Sequence, residues 1–400
     1  MRCISLIPTS LLLFSKHYTM PSSMTTAPTI LQVLPALNSG GVERGTVEMS
    51  QAIVDGGGSS LVISHGGQMV PQLLKTGATH VSMPVHSKNP LMMLWNAQRI
   101  AAHCRKHDVA LIHARSRAPA WSAWLAAKQL KLPFVTTFHG VYNFEGRWKH
   151  KYNSIMTKGD RVIAVSSYVR DHILEHYDCP ASRVTVIPRG ADLSVFHPNN
   201  LDTEHMAELI ADWHIEDRHE PIILMPGRFT RWKGQHVLVQ ALAQIKEERF
   251  TCILMGSDSG HTGYREEVEQ MIHAAGLAEK IRYAPPTSYM TEAYRLSDIV
   301  VVPSIEPEAF GRVPVEAQAM GKLVIASNHG GMAETIRDGE TGFHVPPNDP
   351  DALAAQILHA LYMTKETRNA IGSQAMYHVH QNFSIRSMQN KTLDVYESLL

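Results

Sequence analysis

The richest chemistry lies in the stretch EPEAFGRVPVEAQAMG, residues 306–321, where two glutamates, Glu308 and Glu316, flank Phe310-Gly311 and Pro314. Glu308 falls in a loop beyond an apolar run at 298–304, and Phe310-Gly311 turns the chain into a helix expected to begin near residue 313. Pro314 suits the first turn of that helix, where a missing N–H costs nothing. Glu316 is expected in the same first turn, facing back toward the loop. Two carboxylates at a helix N-terminus border a pocket that offers N–H donors to phosphate and acceptors to hydroxyls. Phosphate and hydroxyls together describe a nucleotide-sugar. The plainer alternative has Glu316 complementing the helix dipole and Glu308 solvated.

Two other loops offer matching chemistry. The first strand-like run feeds NSGGVERGT (38–46), in which Gly40 and Gly41 let the backbone approach a ligand just before a helix. An ordinary glycine turn is the alternative there. The run at 222–226 feeds PGRFTRWKGQH, which sets Arg228, a fork-shaped cation, near Lys233, a point cation. That pair suits a diphosphate. No G-x-G-x-x-G follows a strand and no G-x-x-x-x-G-K-[ST] occurs, which removes the signatures of nicotinamide dehydrogenases and P-loop NTPases. Asp349-Pro350-Asp351 precedes a helical pattern, so it reads as an N-cap with a first-turn acid, not as a metal site. The 23 histidines include no H-E-x-x-H, and the four cysteines, Cys3, Cys104, Cys179 and Cys252, form no CxxC pair. Neither a zinc site nor a disulfide framework is expected.

The elements that must position these loops come in two sets. Apolar runs at 30–37, 60–64, 109–114, 133–138, 161–166 and 184–188 alternate with amphipathic helical patterns. A second series runs through 222–227, 251–256, 280–284, 298–304 and 322–327, with helices near 234–247, 264–275, 289–297, 313–321 and 351–363. Continuous apolar strands separated by helices predict parallel sheets covered on both faces. The expected fold is therefore α/β, two Rossmann-like doubly wound parallel-sheet domains facing a cleft at the carboxyl ends of their strands. Residues 29–200 form the expected N-terminal acceptor-binding domain and 201–220 a polar interdomain linker. Residues 221–382 form the nucleotide-sugar-binding domain, and 383–400 a helix packing back toward the first domain. Residues 1–28 read as an extension, disordered or upstream of the true start, with a signal or anchor as the alternative. With Lys plus Arg at 37 and Asp plus Glu at 37, no global basic field points to nucleic acid. No 18-residue apolar run follows the N-terminal region, so a cytoplasmic protein is expected.

Over residues 30–400 the motifs fall in the order of a known family. PEAFGRVPVEAQAMGKLVIASNHGGMAETIRDGETGFHVPPND resembles the carboxy-terminal signature of retaining glycosyltransferase family 4, with the GT-B fold. SGGVER, TFHG, AVS, VIPRGADLSVFHP and GRFTRWKG are its supporting motifs. IHARSRAPAW and TTFHGVYNF narrow the resemblance to bacterial enzymes of lipopolysaccharide core or surface polysaccharide. Arg189 departs from the Asn usual at its place, and Lys322-Leu323 replaces the usual x-Pro.

The resemblance implies transfer of a hexose from a nucleotide-diphosphate sugar, GDP-mannose or a UDP-hexose, with retention at the anomeric carbon, and the N-cap reading of Asp349-Pro350-Asp351 predicts that no metal is needed. Glu316 would hold the ribose, and Glu308 with the Phe310-Gly311 amides the transferred sugar. Arg228 and Lys233 would neutralise the leaving diphosphate, and Gly41 would approach it from the opposite lobe. His139 would position the reacting sugar, and loops near Gly256 and 283–286 would meet the base. Whether Glu308 attacks covalently or orients the sugar stays open, with orientation favoured. Arg115, Arg117, Arg147, Lys149 and Lys151 are candidates for an anionic or lipid-linked acceptor, or for peripheral contact with the inner face of the cytoplasmic membrane. A solvated basic face is the alternative. An epimerase and a non-catalytic sugar-nucleotide-binding protein are the competing functions.

Overall fold

A computed structural model describes residues 27–400 except 39, 143–145, 216–219, 259 and 261. The extension expected over 1–28 lies outside the described residues up to residue 26.

Strands β1 (Thr29–Val33), β2 (Ser59–Ser64), β3 (Thr79–Ser82), β4 (Val109–Ala114), β5 (Phe134–Phe138), β6 (Arg161–Ala164) and β7 (Val184–Val186) form one parallel sheet in the order β3-β2-β1-β4-β5-β6-β7. Strands β8 (Ile222–Pro226), β9 (Thr251–Met255), β10 (Ile281–Ala284), β11 (Ile299–Val302), β12 (Leu323–Ser327) and β13 (Phe343–Val345) form a second, ordered β10-β9-β8-β11-β12-β13. Every residue of β5, β8, β11 and β12 is buried. Burial on both faces is why these strands read as unbroken apolar runs. The expectation missed β3 and β13, which are short and half polar, THVS and FHV.

The supposed linker is not simply polar chain. It holds the Thr203–Asp212 helix, capped by the Asp202 side chain. Leu209, Trp213 and Ile215 are buried, and the helix packs on the Met290–Leu296 helix of the second sheet. The acids of the described part, Asp202, Glu204, Glu208 and Asp212, are exposed; residues 216–219 of the stretch lie outside the described residues.

At the other end, the Ile385–Glu397 helix contacts the Gly41–Asp55 helix. It buries Leu393, Val395 and Tyr396 in a cluster with Ile30, Met49, Ile53 and Leu111 of the first sheet's layer. The chain thus passes from the first sheet to the second and returns. Ala191 beyond β7 meets that return directly, donating its N–H to Phe383 O at 2.8 Å and accepting from Ile385 N at 3.0 Å.

Candidate active site

In both sheets the strand order reverses beside the first strand, between β1 and β4 and between β8 and β11. Chains leaving such a pair diverge to opposite faces and open a crevice at their carboxyl ends. The loops after β1, β8 and β11 carry Gly40-Gly41, Arg228 with Lys233, and Glu308. Topology therefore gathers residues that lie up to 268 positions apart in sequence numbering, 308 minus 40.

Lys233 and Glu308 meet as an ion pair, Nζ to Oε1 at 2.7 Å, with only 13% and 15% of their side chains exposed. The same Oε1 accepts from Ser304 Oγ at 2.6 Å. Glu308 Oε2 takes no partner among the described residues and remains available as an acceptor. Lys233 Nζ also lies over the Trp232 ring, 4.4 Å from its centroid. Gly234 makes the approach possible: its φ is +80°, and a Cβ there would fall 2.0 Å from Pro303 O. His329 Nε2 donates to Ser304 O at 2.8 Å, and burial lowers its pKa while Glu308 opposes the shift. Sequence reasoning foresaw neither the Lys233–Glu308 pair nor the supporting Ser304 and His329. Arg228 is exposed, and its carbonyl accepts from Gln235 Nε2 at 2.9 Å.

The helix after this loop spans Arg312–Ala319 behind Gly311, whose φ is +101°. It starts earlier than expected, so Glu316 stands one turn inside it and not in its first turn; the first turn holds no acid. Glu316 is 8% exposed. It accepts from Arg312 Nη2 at 3.1 Å on Oε1 and from Tyr294 Oη at 3.2 Å on Oε2. Burial first, and then the Glu316 charge, raise the Tyr294 phenol well above its ordinary pKa, so it stays a donor. An ionised carboxylate has about four lone-pair sites, which leaves Glu316 able to accept from a ligand hydroxyl as well. Phe310 is buried with its ring 5.8 Å from that of Phe383, so it fixes the loop from behind. Gly256 is a packing residue between strand ends: a Cβ would lie 1.9 Å from Gly227 O.

Across the cleft, Gly140 faces this loop; a Cβ on it would lie 4.0 Å from Ala309 Cβ. Its neighbour His139 takes a hydrogen bond on Nδ1 from Arg189 Nη2 at 2.7 Å, and Arg189 Nη1 donates to Gly41 O at 2.6 Å. The departure at position 189 therefore sits within the candidate site. Burial, followed by the charges of Arg189 and Arg115, holds His139 far below the ordinary histidine pKa. Gly40 has φ +150° and precedes the Gly41–Asp55 helix. The two lobes also bond directly: Ser166 Oγ donates to Ala309 O at 2.6 Å. Glu334 accepts from Ser167 N at 2.9 Å and Tyr168 N at 2.6 Å.

The proposed basic surface divides. Arg115 is 5% exposed and donates from Nε to Gln32 Oε1 at 2.8 Å, so it cannot meet a membrane or a surface-bound acceptor. Arg117 is half-buried, bonded to Asn153 Oδ1 at 2.8 Å and stacked over Tyr142. Arg147, Lys149 and Lys151 are exposed on the Arg147–Asn153 helix, beside Trp148 at 84% exposure. Asp349 caps the Pro350–Tyr362 helix through Ala352 N at 2.9 Å, while Asp351 accepts from Gln244 Nε2 at 2.7 Å. No group of three or more His, Cys, Asp and Glu placed to hold a metal occurs among the described residues. Nor is any described helix long and apolar enough to cross a membrane.

Two family models divide the chain between them, "Glycosyltransferase Family 4" over residues 39–195 and "Glycosyl transferases group 1" over 208–376. Among similar proteins is the D-inositol 3-phosphate glycosyltransferase of Corynebacterium kroppenstedtii, 30% identical, over 75% of this chain and 69% of that protein. Among solved structures, a glycosyltransferase from Rickettsia africae superposes with a TM-score of 0.87 at 43% identity, covering 93% of this chain and 98% of that one. Anabaena Alr3699/HepE, in complex with UDP and glucose, gives a TM-score of 0.78 at 22% identity over 92% and 99% of the chains. With its motifs in order on two facing parallel sheets, the chain belongs to glycosyltransferase family 4 and has the GT-B fold.

Proposed function

We propose that this glycosyltransferase moves a hexose, with retention at the anomeric carbon and without a metal, from a nucleoside-diphosphate sugar to an anionic acceptor. The observation that carries this reading is the Lys233–Glu308 pair at the switch point of the second sheet, opposite His139. As the sugar–phosphate bond breaks, the leaving diphosphate gains negative charge. Fixed cations in a water-poor cleft stabilise such charge without reorganising. Lys233 and Arg228 are those cations, and Glu308 Oε2 accepts from the transferred sugar's hydroxyls. Glu316, oriented by Arg312 and Tyr294, receives the ribose. The leaving phosphate takes the acceptor's proton on the face it departs from, so Glu308 orients the sugar and forms no bond to it. The helix-cap and Gln244 bonds of Asp349 and Asp351 support the metal-independent reading.

HepE's complexes with UDP-glucose put UDP-glucose first among donors to try, with GDP-mannose beside it. The acceptor reading takes a surface-polysaccharide or lipid-linked glycan. A phosphorylated polyol is the second reading, favoured by the name of the Corynebacterium relatives. Both are anionic. A rim for membrane-borne acceptors lies on one face of the first sheet. There the Pro90–Lys106 helix exposes Leu91, Leu94 and Trp95, and the Arg147–Asn153 helix exposes Trp148 among its cations.

The decisive experiment is a thermal-shift screen of UDP-, GDP- and ADP-sugars, followed by turnover of the stabilising donor with inositol phosphate or lipid-linked glycan in EDTA. A bound donor raises the melting temperature by mass action. Proton NMR of the product gives the anomeric configuration. An inverted product, a trapped glycosyl–Glu308 adduct, or activity restored only by added divalent cation each overturns the corresponding part. Sedimentation with anionic and neutral liposomes at low salt tests the rim, and equal binding to both removes it.

A further inference from the structure

Arg189 follows β7 in VIPRGADL and bridges two parts of the site, donating to Gly41 O at 2.6 Å and His139 Nδ1 at 2.7 Å. A guanidinium carries donors only. Nδ1 must therefore offer its lone pair, and the single imidazole proton sits on Nε2. That Nε2 is buried and has no partner among the described residues. An unmet buried donor is costly and calls for a reason. The Gly41 contact explains the glycine there, because a Cβ would stand 2.5 Å from Arg189 Nη1.

We propose that Arg189 is a positioning residue: it locks His139 as the neutral tautomer that presents Nε2–H to the transferred sugar, and couples that imidazole to the glycine turn at Gly41. The inference rests on the proposed placing of the donor sugar beside His139. Protonating Nδ1 would set two donors against each other, so the lock also keeps His139 from acting as a base through Nδ1 or as an imidazolium acid. The charged and titratable groups around it act in the same direction. Burial is the largest influence, and Arg189, Arg115 and His113 each lower the proton affinity of His139 further. Arg189 itself, pulled down to about 10 mainly by burial, with Arg312 and Arg115 adding and Glu48 and Glu43 opposing, stays charged at neutral pH. A cavity of about 30 Å³ lined by His139, Arg189, Arg115, Thr137 and His113 has room for one water, the competing partner for Nε2–H.

Nitrogen-15 NMR of the full chain tests the lock. In the wild type, His139 is expected to remain the Nε2–H tautomer without titrating through pH 5–8. In Arg189→Met, a mixture of tautomers and a titration nearer neutrality are expected. With the donor selected by thermal shift, Arg189→Met should lower kcat about 10–100-fold, the range for losing a charged hydrogen bond, while KM for the donor moves less than about threefold. Arg189→Lys, which keeps one charged donor, should recover part of kcat. That donor should also shift the wild-type Nε2–H resonance. An unchanged tautomer and titration in Arg189→Met, or an Nε2–H resonance indifferent to donor, overturns the proposal. A fully active His139→Ala, alongside a wild type that shows the expected tautomer and titration, would instead overturn the functional reading on which it rests.

Discussion

Lys233 and Glu308 hold each other at 2.7 Å with little solvent around them, so each sets the other's direction before a ligand arrives. The sequence gives them separate tasks, cation for diphosphate and acceptor for sugar, and the geometry makes one unit of both. Donor binding would keep Ser304 on Oε1 and use the unpartnered Oε2 of Glu308. Substituting Lys233→Met should reduce kcat by about 10²–10³-fold, the scale measured for removing one group that meets developing charge. The mutant should stay folded by circular dichroism. Retention of more than half the wild-type turnover would remove Lys233 from the mechanism. Glu306, two residues before Glu308, is exposed and takes no part in the pair.

Elements place these side chains through backbone approaches that only small residues allow. Gly234 brings the Arg231–Lys233 turn against the loop after β11, with φ +80° and a would-be Cβ 2.0 Å from Pro303 O. Gly234→Ala adds left-handed backbone strain to that collision, together about 1–3 kcal/mol or more. Its urea midpoint and its activity should therefore fall together, and an unchanged midpoint would contradict the account. Gly331 has a related task between the lobes, since a Cβ would lie 2.1 Å from Ala309 O and 2.6 Å from Ser166 Oγ. Nearby, Glu334 caps the Ser167–His176 helix from the opposite sheet's side of the cleft. Glu334→Ala should cost about 1 kcal/mol or less, as loss of an exposed cap does. It should also speed hydrogen exchange at Ser167 and Tyr168 and weaken donor binding a few-fold. Exchange that matches wild type at those two amides would show that the cap does not hold the lobes together.

At the scale of the whole molecule, the Ile385–Glu397 helix follows the second sheet in the chain but packs on the first, and the packing beneath it buries a titratable group. His113 is fully buried, with Nδ1 2.6 Å from Tyr396 Oη and Nε2 2.7 Å from Thr137 Oγ1. Burial, reinforced by Arg115, holds its pKa well below the ordinary value. Below about pH 6.5 the unfolded chain therefore binds a proton that the folded chain refuses. The stability this histidine lends is present above that pH and is lost as pH falls toward the folded pKa. Each such histidine contributes a slope of about 1.4 kcal/mol per pH unit in that window. Urea midpoints should drop between pH 7.5 and pH 5.5, and a flat profile would contradict the burial of His113 as a neutral ring.

The sequence by itself determined the layered architecture and the motif order, because strands buried on both faces must be apolar throughout and the turns that feed helices need glycine and proline. Runs such as IILMP and LVIAS therefore declared their strands, whereas THVS and FHV, short and half polar, did not. Glu308 and Lys233 were legible as candidates by type and loop position, and His139 through the family resemblance of its motif. Their partners were not, since Ser304 reaches Glu308 and Arg189 reaches His139 through distances that no local pattern encodes, as Tyr294 reaches Glu316. Arg115 shows the same limit from the other side. Its charge suggested a surface, and only the pairing of β4 beside β1 decided that it is enclosed and bonded to Gln32. Charge and periodicity are local properties of a chain, while burial and partnership depend on which strand ends converge at a switch point.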